Sequence, residues 1–350
     1  MLPRLLRALI LIVAAVLLLV ITWPQAFGAQ NTWIIAHIVS FRAVAAIGAI
    51  CGLVVCGLLR FIRPLRRTLS VMMVLLVMFA AANIGILASR GFTNATESTD
   101  AAGSRDANAT LAITVLSWNT LGDAPGAAAI AELALAQNAN VVALPETTEE
   151  TGVLVAELMR DAGRPMWVHT LAFDSVSKAR STTLLISPDL GEYAVSNAAV
   201  SGEPGNTNVL PTVVATPVTG QGPTIVAVHA VAPIQYEMSN WRDDLDWLAT
   251  QCQGDNVIMA GDFNSTLDHM AGRASGTGQS ILGNCTDSAL SNGTAALGTW
   301  PTSVWTVLGS PIDHVMATPN WEVSTMRVID TWDSAGSDHR PIVATLLPAT

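Results

Sequence analysis

The stretch Asn256-Val257-Ile258-Met259-Ala260-Gly261-Asp262-Phe263-Asn264 begins as an apolar run and stops abruptly on a glycine, a carboxylate and an amide. A short apolar run with this boundary predicts a strand buried on both faces. The pattern recurs along the second part of the chain. Residues 113–118 stop at Asn119, residues 141–144 at Pro145 and Glu146, and residues 224–228 at His229. Residues 312–317 carry Asp313 near their start, and Ser337, Asp338 and His339 precede the run 342–347. Ala-rich stretches at 126–138 and 152–161, and a stretch around 235–251, read as helices between strands. Residues 111–350 therefore make one sizeable α/β domain.

A charged or amide group at the end of a core strand costs free energy unless it is paired or bound to metal. One such end is explained by a cap. Six ends supplying Asn119, Glu146, His229, Asp262, Asn264, Asp313, Asp338 and His339 are not. Carboxylates that converge repel one another unless a cation sits among them. Oxygen donors with few His and no Cys point to Mg²⁺ or Mn²⁺ rather than Zn²⁺. A hard divalent cation beside a His suits phosphoester hydrolysis.

The segments Ser117-Trp118-Asn119, Leu144-Pro145-Glu146, His229-Ala230-Val231-Ala232-Pro233, Gly261-Asp262-Phe263-Asn264, Ile312-Asp313-His314-Val315 and Gly336-Ser337-Asp338-His339-Arg340-Pro341 occur in that order. Together they resemble the endonuclease/exonuclease/phosphatase superfamily, which includes deoxyribonucleases, apurinic endonucleases, neutral sphingomyelinases and inositol polyphosphate 5-phosphatases. The resemblance covers essentially all of 111–350. It implies a four-layer α/β sandwich, two packed mixed β-sheets flanked by helices. It implies Glu146 as the main metal ligand, assisted by Asn119 and Asp338. It implies that His339, held by Asp313, acts on the reacting phosphate, and that Asn264 and His229 donate to the phosphoryl oxygens as charge builds. Asp262 orients or deprotonates the attacking water, and the general base stays open between Asp262 and His339. A Ser-His-Asp hydrolase is a poor rival, because Ser337 is contiguous with Asp338 and His339 and no Gly-x-Ser-x-Gly elbow is present.

Whole-chain averages, 51% hydrophobic, 13% charged and a net charge of −10, merge two different materials. Residues 1–90 hold eight Arg and no acidic residue, a charge of +8. Residues 91–350 hold nine basic and 27 acidic residues, a charge of −18. In the first part the apolar runs 8–23, 43–59 and 71–88 approach the length a membrane-crossing helix needs, giving three spans at about 8–23, 40–59 and 71–88. The second run extends back toward Trp33, with Arg42 snorkelling to the interface. Arg4 and Arg7 precede the first span, and Arg60, Arg63, Arg66 and Arg67 lie between the second and third. By the positive-inside rule the N-terminus is cytoplasmic and the domain after the third span is outside the cytoplasmic membrane. Cleavage near 26–29, if the first run were a signal peptide, would leave the same orientation. Residues 91–110 read as a flexible tether. A single Lys, Lys178, among many Ala and Arg points to a GC-rich bacterial genome.

Cys252 and Cys285 are an even pair in an oxidising compartment; a disulfide and two buried thiols are both open. Arg180 is a candidate substrate contact. His314 should face away from Asp313 as core or surface, Asp268 and His269 should cap a turn or helix, and His169 is structural. Trp300, Trp305 and Trp332 lie in loop-like regions, where they line a cleft, touch the membrane or fill the core. Nine basic against 27 acidic residues, with no basic run, disfavour duplex DNA as substrate. The leading expectation is a membrane-anchored, Mg²⁺- or Mn²⁺-dependent phosphoesterase reaching lipid-linked or cell-envelope phosphates. An extracellular nuclease with the same site, and an inactive binding or scaffold module, are the alternatives.

Overall fold

In a computed structural model the chain forms two compact units, residues 1–90 and 91–350. The structure describes residues 2–94, 112–174, 176–196, 206–207, 209–276 and 278–349.

The first unit consists of helices α1 (Leu2–Thr22), α2 (Trp33–Ser40), α3 (Arg42–Leu59) and α4 (Arg66–Arg90). Segments Leu5–Thr22, Arg42–Leu59 and Arg66–Arg90 are long and apolar enough to cross a membrane. The second apolar run does reach back to Trp33, but it breaks at Phe41, where φ −118° and ψ 53° leave the helical region. Ala49, Phe79 and Ala80 form a small core with Leu18 and Leu76 packed against it. Arg42 does not snorkel outward as expected. It is buried, and Nη1 donates to Asn83 Oδ1 at 2.7 Å and to the Thr22 carbonyl at 3.3 Å. An inward amide and carbonyl satisfy the guanidinium among apolar helices, the usual solution for an ionisable group in such a bundle.

Residues 91–94, read as the start of a tether, are hydrogen-bonded into the second unit. Ala296 N–H donates to the Gly91 carbonyl (3.1 Å) and Thr93 N–H to the Gly293 carbonyl (2.9 Å). The Asn94 amide pairs with both backbone groups of Val328, at 2.8 and 3.1 Å. The rest of the expected tether, 95–110, lies outside the described residues.

The second unit is built on two six-stranded sheets. The first contains β1 (Ile113–Ser117), β2 (Val141–Pro145), β3 (Trp167–Ala172), β4 (Ser181–Ile186), β11 (Trp321–Val328) and β12 (Ile342–Pro348), in the order β11-β12-β1-β2-β4-β3. The second contains β5 (Tyr193–Ser196), β6 (Val213–Pro217), β7 (Thr224–His229), β8 (Val257–Asp262), β9 (Thr286–Asp287) and β10 (Asp313–Ala317), in the order β5-β6-β7-β8-β10-β9. Each sheet has one parallel pair at its centre, β1/β2 and β7/β8, flanked by antiparallel pairs. A parallel pair needs a crossover, which α5 (Gly126–Ala136) supplies in the first sheet and α7 (Met238–Gln251) in the second.

Helices α5 and α6 (Glu149–Asp161) cover the outer face of the first sheet, where Trp118, Ile130, Leu133, Leu144 and Met159 share one core. The inner faces of the sheets pack on each other, β2 against β7 and β8, and β1 against β8 and β10. The result is two packed mixed sheets flanked by helices. Helix α7 buries Trp241, Leu245 and Leu248, and its C-cap, Cys252, is disulfide-bonded to Cys285.

Register brings the strand ends together. His229 pairs with Asp262 across β7/β8, and Asp262 pairs with Asp313 across β8/β10, so the three stand in one row. In the first sheet Ser117 pairs with Ala143 and with Ile342, which puts Asn119, Glu146 and the 337–341 segment at the matching end.

Candidate active site

Two backbone features aim the site. Glu146 follows Pro145, the last residue of β2, with φ 58°, and Asn264 follows β8 with φ 46°. A side-chain residue in the left-handed region is strained and persists only where its surroundings hold it. The Glu146 carbonyl accepts Thr120 Oγ1–H (2.9 Å) and Asp123 N–H (3.2 Å). Asn264 N–H donates to Asp262 Oδ1 (2.8 Å), and its amide nitrogen donates to the Ala230 carbonyl (2.9 Å) and to Asp262 Oδ2 (3.2 Å).

His339 Nδ1 lies 2.9 Å from Asp313 Oδ2, and His339 Nε2 lies 3.8 Å from Asp262 Oδ2. Asn119 Nδ2 donates both to Glu146 Oε1 (3.1 Å) and to Asp262 Oδ2 (3.0 Å). His229 Nε2 is 3.9 Å from Glu146 Oε1. The structure thus brings Asn119, Glu146, His229, Asp262, Asn264, Asp313 and His339 together. Asp338, next to His339 in the chain, is held by Trp300, whose Nε1 donates to its Oδ2 at 2.9 Å.

The electrostatics follow from burial and charge. Burial alone would push the His339 imidazole down, but the Asp313 and Asp262 carboxylates override it and hold it well above the ordinary histidine value. Burial, countered in part by His339, raises the Asp262 carboxyl. Burial, reinforced by the neighbouring His339, drives His229 down to about 3, so it is neutral at pH 7. Glu146 is raised by burial, against a lowering hydrogen bond from Asn119. The site therefore holds one imidazolium, one neutral imidazole and, in Asp262 and Glu146, two carboxyls that burial pushes up.

The donor set fits a hard divalent cation. Asp338 Oδ1 and Asp313 Oδ1 are buried without a hydrogen-bond partner, and half-buried Glu146 feels the charge of Asp338. Ligand atoms of Asp262, Asp313 and His339 lie within 4.8 Å of one another. That trio already contains the imidazolium, so a cation gains more on the Glu146 and Asp338 side. Asn119, expected as a ligand, turns its Oδ1 to the Leu121 N–H (3.0 Å) and its Nδ2 to the carboxylates. In this arrangement it orients Glu146 and Asp262.

Three further residues position the site. Ser337 Oγ donates to the Asn119 carbonyl (2.6 Å) and accepts the His339 N–H (3.0 Å). Trp118 Nε1 donates to the His339 carbonyl (2.9 Å). Thr299 Oγ1 accepts the N–H groups of Ile312 and Asp313, at 3.1 and 3.2 Å. The sequence marked Ser337 only as a rejected nucleophile and Trp300 only as a loop residue; Thr299 carried no signal.

The remaining residues singled out in the sequence make the following contacts. Arg180 is bonded to Asp174 Oδ2 (3.2 Å) and the Val209 carbonyl (3.1 Å). His314 is a core residue, between Asp287 Oδ2 (2.7 Å) and the Ser265 carbonyl (2.8 Å). His269 completes a capping box with Thr266, beside Asp268 on the short helix α8 (Leu267–Met270). Trp332 packs edge-on against Trp118 in the core, and Trp305 is exposed.

The chain matches the Endonuclease/Exonuclease/phosphatase family over residues 116–339. Among solved structures it is similar to an endonuclease/exonuclease/phosphatase from Bacteroides vulgatus, with 14% identity and a TM-score of 0.50, covering 68% of this chain and 99% of that one. A family protein from Bacteroides thetaiotaomicron gives 17% identity and a TM-score of 0.50, covering 68% and 98%. One from Beutenbergia cavernae gives 19% identity and a TM-score of 0.49, covering 68% and 72%. At these identities the likeness is one of fold. A search of curated proteins gave no match.

Proposed function

Since the chain belongs to the endonuclease/exonuclease/phosphatase family, we propose that it is a membrane-anchored, divalent-cation-dependent phosphoesterase acting outside the cytoplasmic membrane. The observation that carries this reading is the row His229, Asp262, Asp313 on one sheet, facing Asn119, Glu146 and His339 from the other. Glu146 and Asp338 would hold the cation, Mg²⁺ or Mn²⁺, and Asn119 orients Glu146. When bound, the cation supplies a positive charge for the phosphoryl oxygens.

The protein's own groups do the rest. Asp262, fixed by three hydrogen bonds from Asn119 and Asn264, accepts the proton of the attacking water. A carboxylate with a raised pKa is a stronger base than one in water. His339, kept protonated by Asp313, donates to the phosphoryl oxygen as charge develops. Neutral His229 and the Asn264 amide complete the donor ring. The segments Leu5–Thr22, Arg42–Leu59 and Arg66–Arg90 form the anchor. The arginines before the first of them and between the last two favour a cytoplasmic N-terminus.

The test is a phosphoester panel given to the full chain in detergent. It includes bis(p-nitrophenyl) phosphate, p-nitrophenyl phosphate, plasmid DNA, RNA, phospholipids, polyprenyl phosphates and inositol phosphates. The expected result is hydrolysis that needs Mg²⁺ or Mn²⁺ and stops on chelation. Hydrolysis without the cation, or none across the panel, refutes the reading. Glu146→Ala and His339→Ala should each lose at least about 100-fold in turnover with the fold intact by circular dichroism. A reporter active only outside the cytoplasm, fused after Thr350, should be active.

A further inference from the structure

The backbone that carries Glu146 is held mainly by one loop, the four residues after Asn119. Thr120 N–H donates to the Pro145 carbonyl at 3.0 Å, Thr120 Oγ1–H to the Glu146 carbonyl at 2.9 Å, and Asp123 N–H to that same carbonyl at 3.2 Å. The Asp123 carboxylate then reaches past Thr147. Its Oδ1 accepts Thr148 N–H and its Oδ2 accepts Thr148 Oγ1–H, both at 2.9 Å. Thr148 is the N-cap of α6, and its Oγ1 accepts the Thr151 N–H at 3.3 Å. From β4, Thr183 Oγ1 donates to the Thr147 carbonyl at 2.9 Å. Asp123 therefore grips the chain on both flanks of Thr147, and joins the end of β2, Glu146 and the start of α6 into one piece.

The gripping loop is itself strained. Leu121, Gly122 and Asp123 stand at φ 49°, 68° and 68°. Left-handed residues normally occur singly, and a bulky one such as Leu is an outlier there. Three in a row persist only if their surroundings hold them. Lys178 Nζ lies 3.2 Å from Asp123 Oδ2, and the lysine stem lies against the loop, since a Cβ on Gly122 would stand 3.3 Å from Lys178 Cβ. A Cβ on Gly336, just before Ser337, would stand 2.9 Å from the Ala124 carbonyl oxygen, so the loop's end is backed as closely. The Asp123 side chain is only 7% exposed, and Lys178, the one lysine of the chain, is the cation that pairs with it. Lys178 opens the turn that leads into β4, and β4 meets β2 through the pair Thr182–Pro145, one residue before Glu146.

Resting on the reading of Glu146 as a cation ligand, we propose that Asp123 and Lys178 are positioning residues that preform the cation site. They act through the backbone. The ion pair holds Asp123, and Asp123 holds Thr148 and the Glu146 carbonyl. These bonds keep Glu146 at φ 58°, the state that brings its carboxylate to the Asn119 amide. Without the grip, Glu146 relaxes to the ordinary negative φ and its carboxylate turns away. Asp123 and Lys178 bond to neither His339 nor Asp262, so the loss falls on cation affinity and spares the groups that face the phosphate. Removing a partner that orients a metal ligand typically costs about 10–100-fold in metal affinity.

The experiment titrates Mn²⁺ into the full chain in detergent, without substrate, and follows the electron paramagnetic resonance signal of free Mn²⁺. Glu146→Ala comes first. Equal binding by wild type and Glu146→Ala, at any level, removes the ligand reading and the proposal with it. Where Glu146→Ala weakens binding, Asp123→Asn decides the proposal alone. Asn tolerates the left-handed region but turns a donor toward Thr148 Oγ1 or Lys178 in place of an acceptor. The expected result is a Kd for Mn²⁺ raised about tenfold. The Mg²⁺ concentration that half-activates bis(p-nitrophenyl) phosphate turnover should rise by the same factor, and excess Mg²⁺ should recover turnover. An unchanged Kd overturns the proposal, and so does a loss of turnover that excess Mg²⁺ does not recover. Lys178→Met should raise the Kd in the same direction, and Lys178→Arg, which keeps the ion pair, should return it to the wild-type value; a wild-type Kd in Lys178→Met overturns the part assigned to the lysine.

Discussion

Gly261→Ala tests whether the central parallel pair of the second sheet carries the site. Gly261 lies in β8 at φ +152°, and a Cβ there would stand 2.0 Å from the Val228 carbonyl oxygen and 2.7 Å from the Val228 nitrogen. Ordinary contact begins near 3.4 Å, so β7 and β8 must separate by more than about 1 Å where strands normally lie about 4.8 Å apart. The separation falls at the Val228–Gly261 pairing, one step before His229–Asp262. The left-handed backbone costs a side-chain residue about 1–3 kcal/mol, and overpacking costs about 1–3 kcal/mol more. At about 2–4 °C per kcal/mol for a unit of this size, the expected loss in Tm is near 10 °C. The assay is a thermal melt of the full chain in detergent, followed by near-UV circular dichroism. Turnover below the melt should fall at least about tenfold, because Asp262 moves with its strand. A Tm within about 2 °C of wild type, with normal turnover, would refute the reasoning.

Three further perturbations probe other supports. Arg340→Lys replaces a guanidinium that serves four carbonyls and Asp333, so a loss of about 2–4 kcal/mol is expected by thermal melt; no change in Tm would contradict the pinned loop. Cys252→Ser with Cys285→Ser opens a link across 33 residues, worth about 4 kcal/mol in the chain-entropy model, and reductant should lower the wild-type Tm but not the variant's. Asp244, buried beneath the N–H groups of Thr207 and Val231, has its carboxyl pushed up by burial to about 6. A carboxyl raised on folding favours the folded state most below its unfolded value near 3.8, and that contribution is lost as pH rises to about 6. Wild type should therefore gain about 2 kcal/mol relative to Asp244→Asn as pH falls from about 7 to 4; a flat Tm difference across that window counts against it.

The strands legible in the sequence were those buried on both faces. Each of the apolar runs that stop at Asn119, Glu146, His229 and Asp262 is a central strand, and so are those at Asp313 and after His339. The edge strands were not legible, because half-exposed strands do not form apolar runs. β11 alternates exposed and buried positions and carries a register shift between Val323 and Thr325. β3 is only partly buried throughout. β4 is fully buried yet begins Ser181-Thr182-Thr183, polar residues satisfied only in three dimensions, as when Thr183 Oγ1 donates to the Thr147 carbonyl at 2.9 Å. Site membership was legible for the same reason the central strands were: a polar group ending an apolar run has few ways to be satisfied. The supports were not, since Thr299, Trp300 and Arg340 act through backbone and side-chain partners far apart in sequence.

The two sheets repeat one plan, and the plan explains why the site resides where it does. In each sheet the first strand of the parallel pair leads to a hydrogen-bonding side chain, Asn119 or His229. The second is followed by a left-handed residue, Glu146 or Asn264. The bonds that complete the site run between sheets. Asn119 of the first donates to Asp262 of the second, His339 from the lead into β12 meets Asp313 on β10, and His229 on β7 stands beside Glu146 after β2. No single sheet can form the site, and the packing of β1 and β2 on β7, β8 and β10 sets its dimensions. Strain at Glu146 and Asn264 is sustained because that packing over-determines both positions. A substitution in the inter-sheet core that slides one sheet by an ångström should therefore depress turnover without touching any site residue. A substitution of equal thermodynamic cost on the outer face, under α5 and α6, should lower stability and leave turnover at the wild-type level.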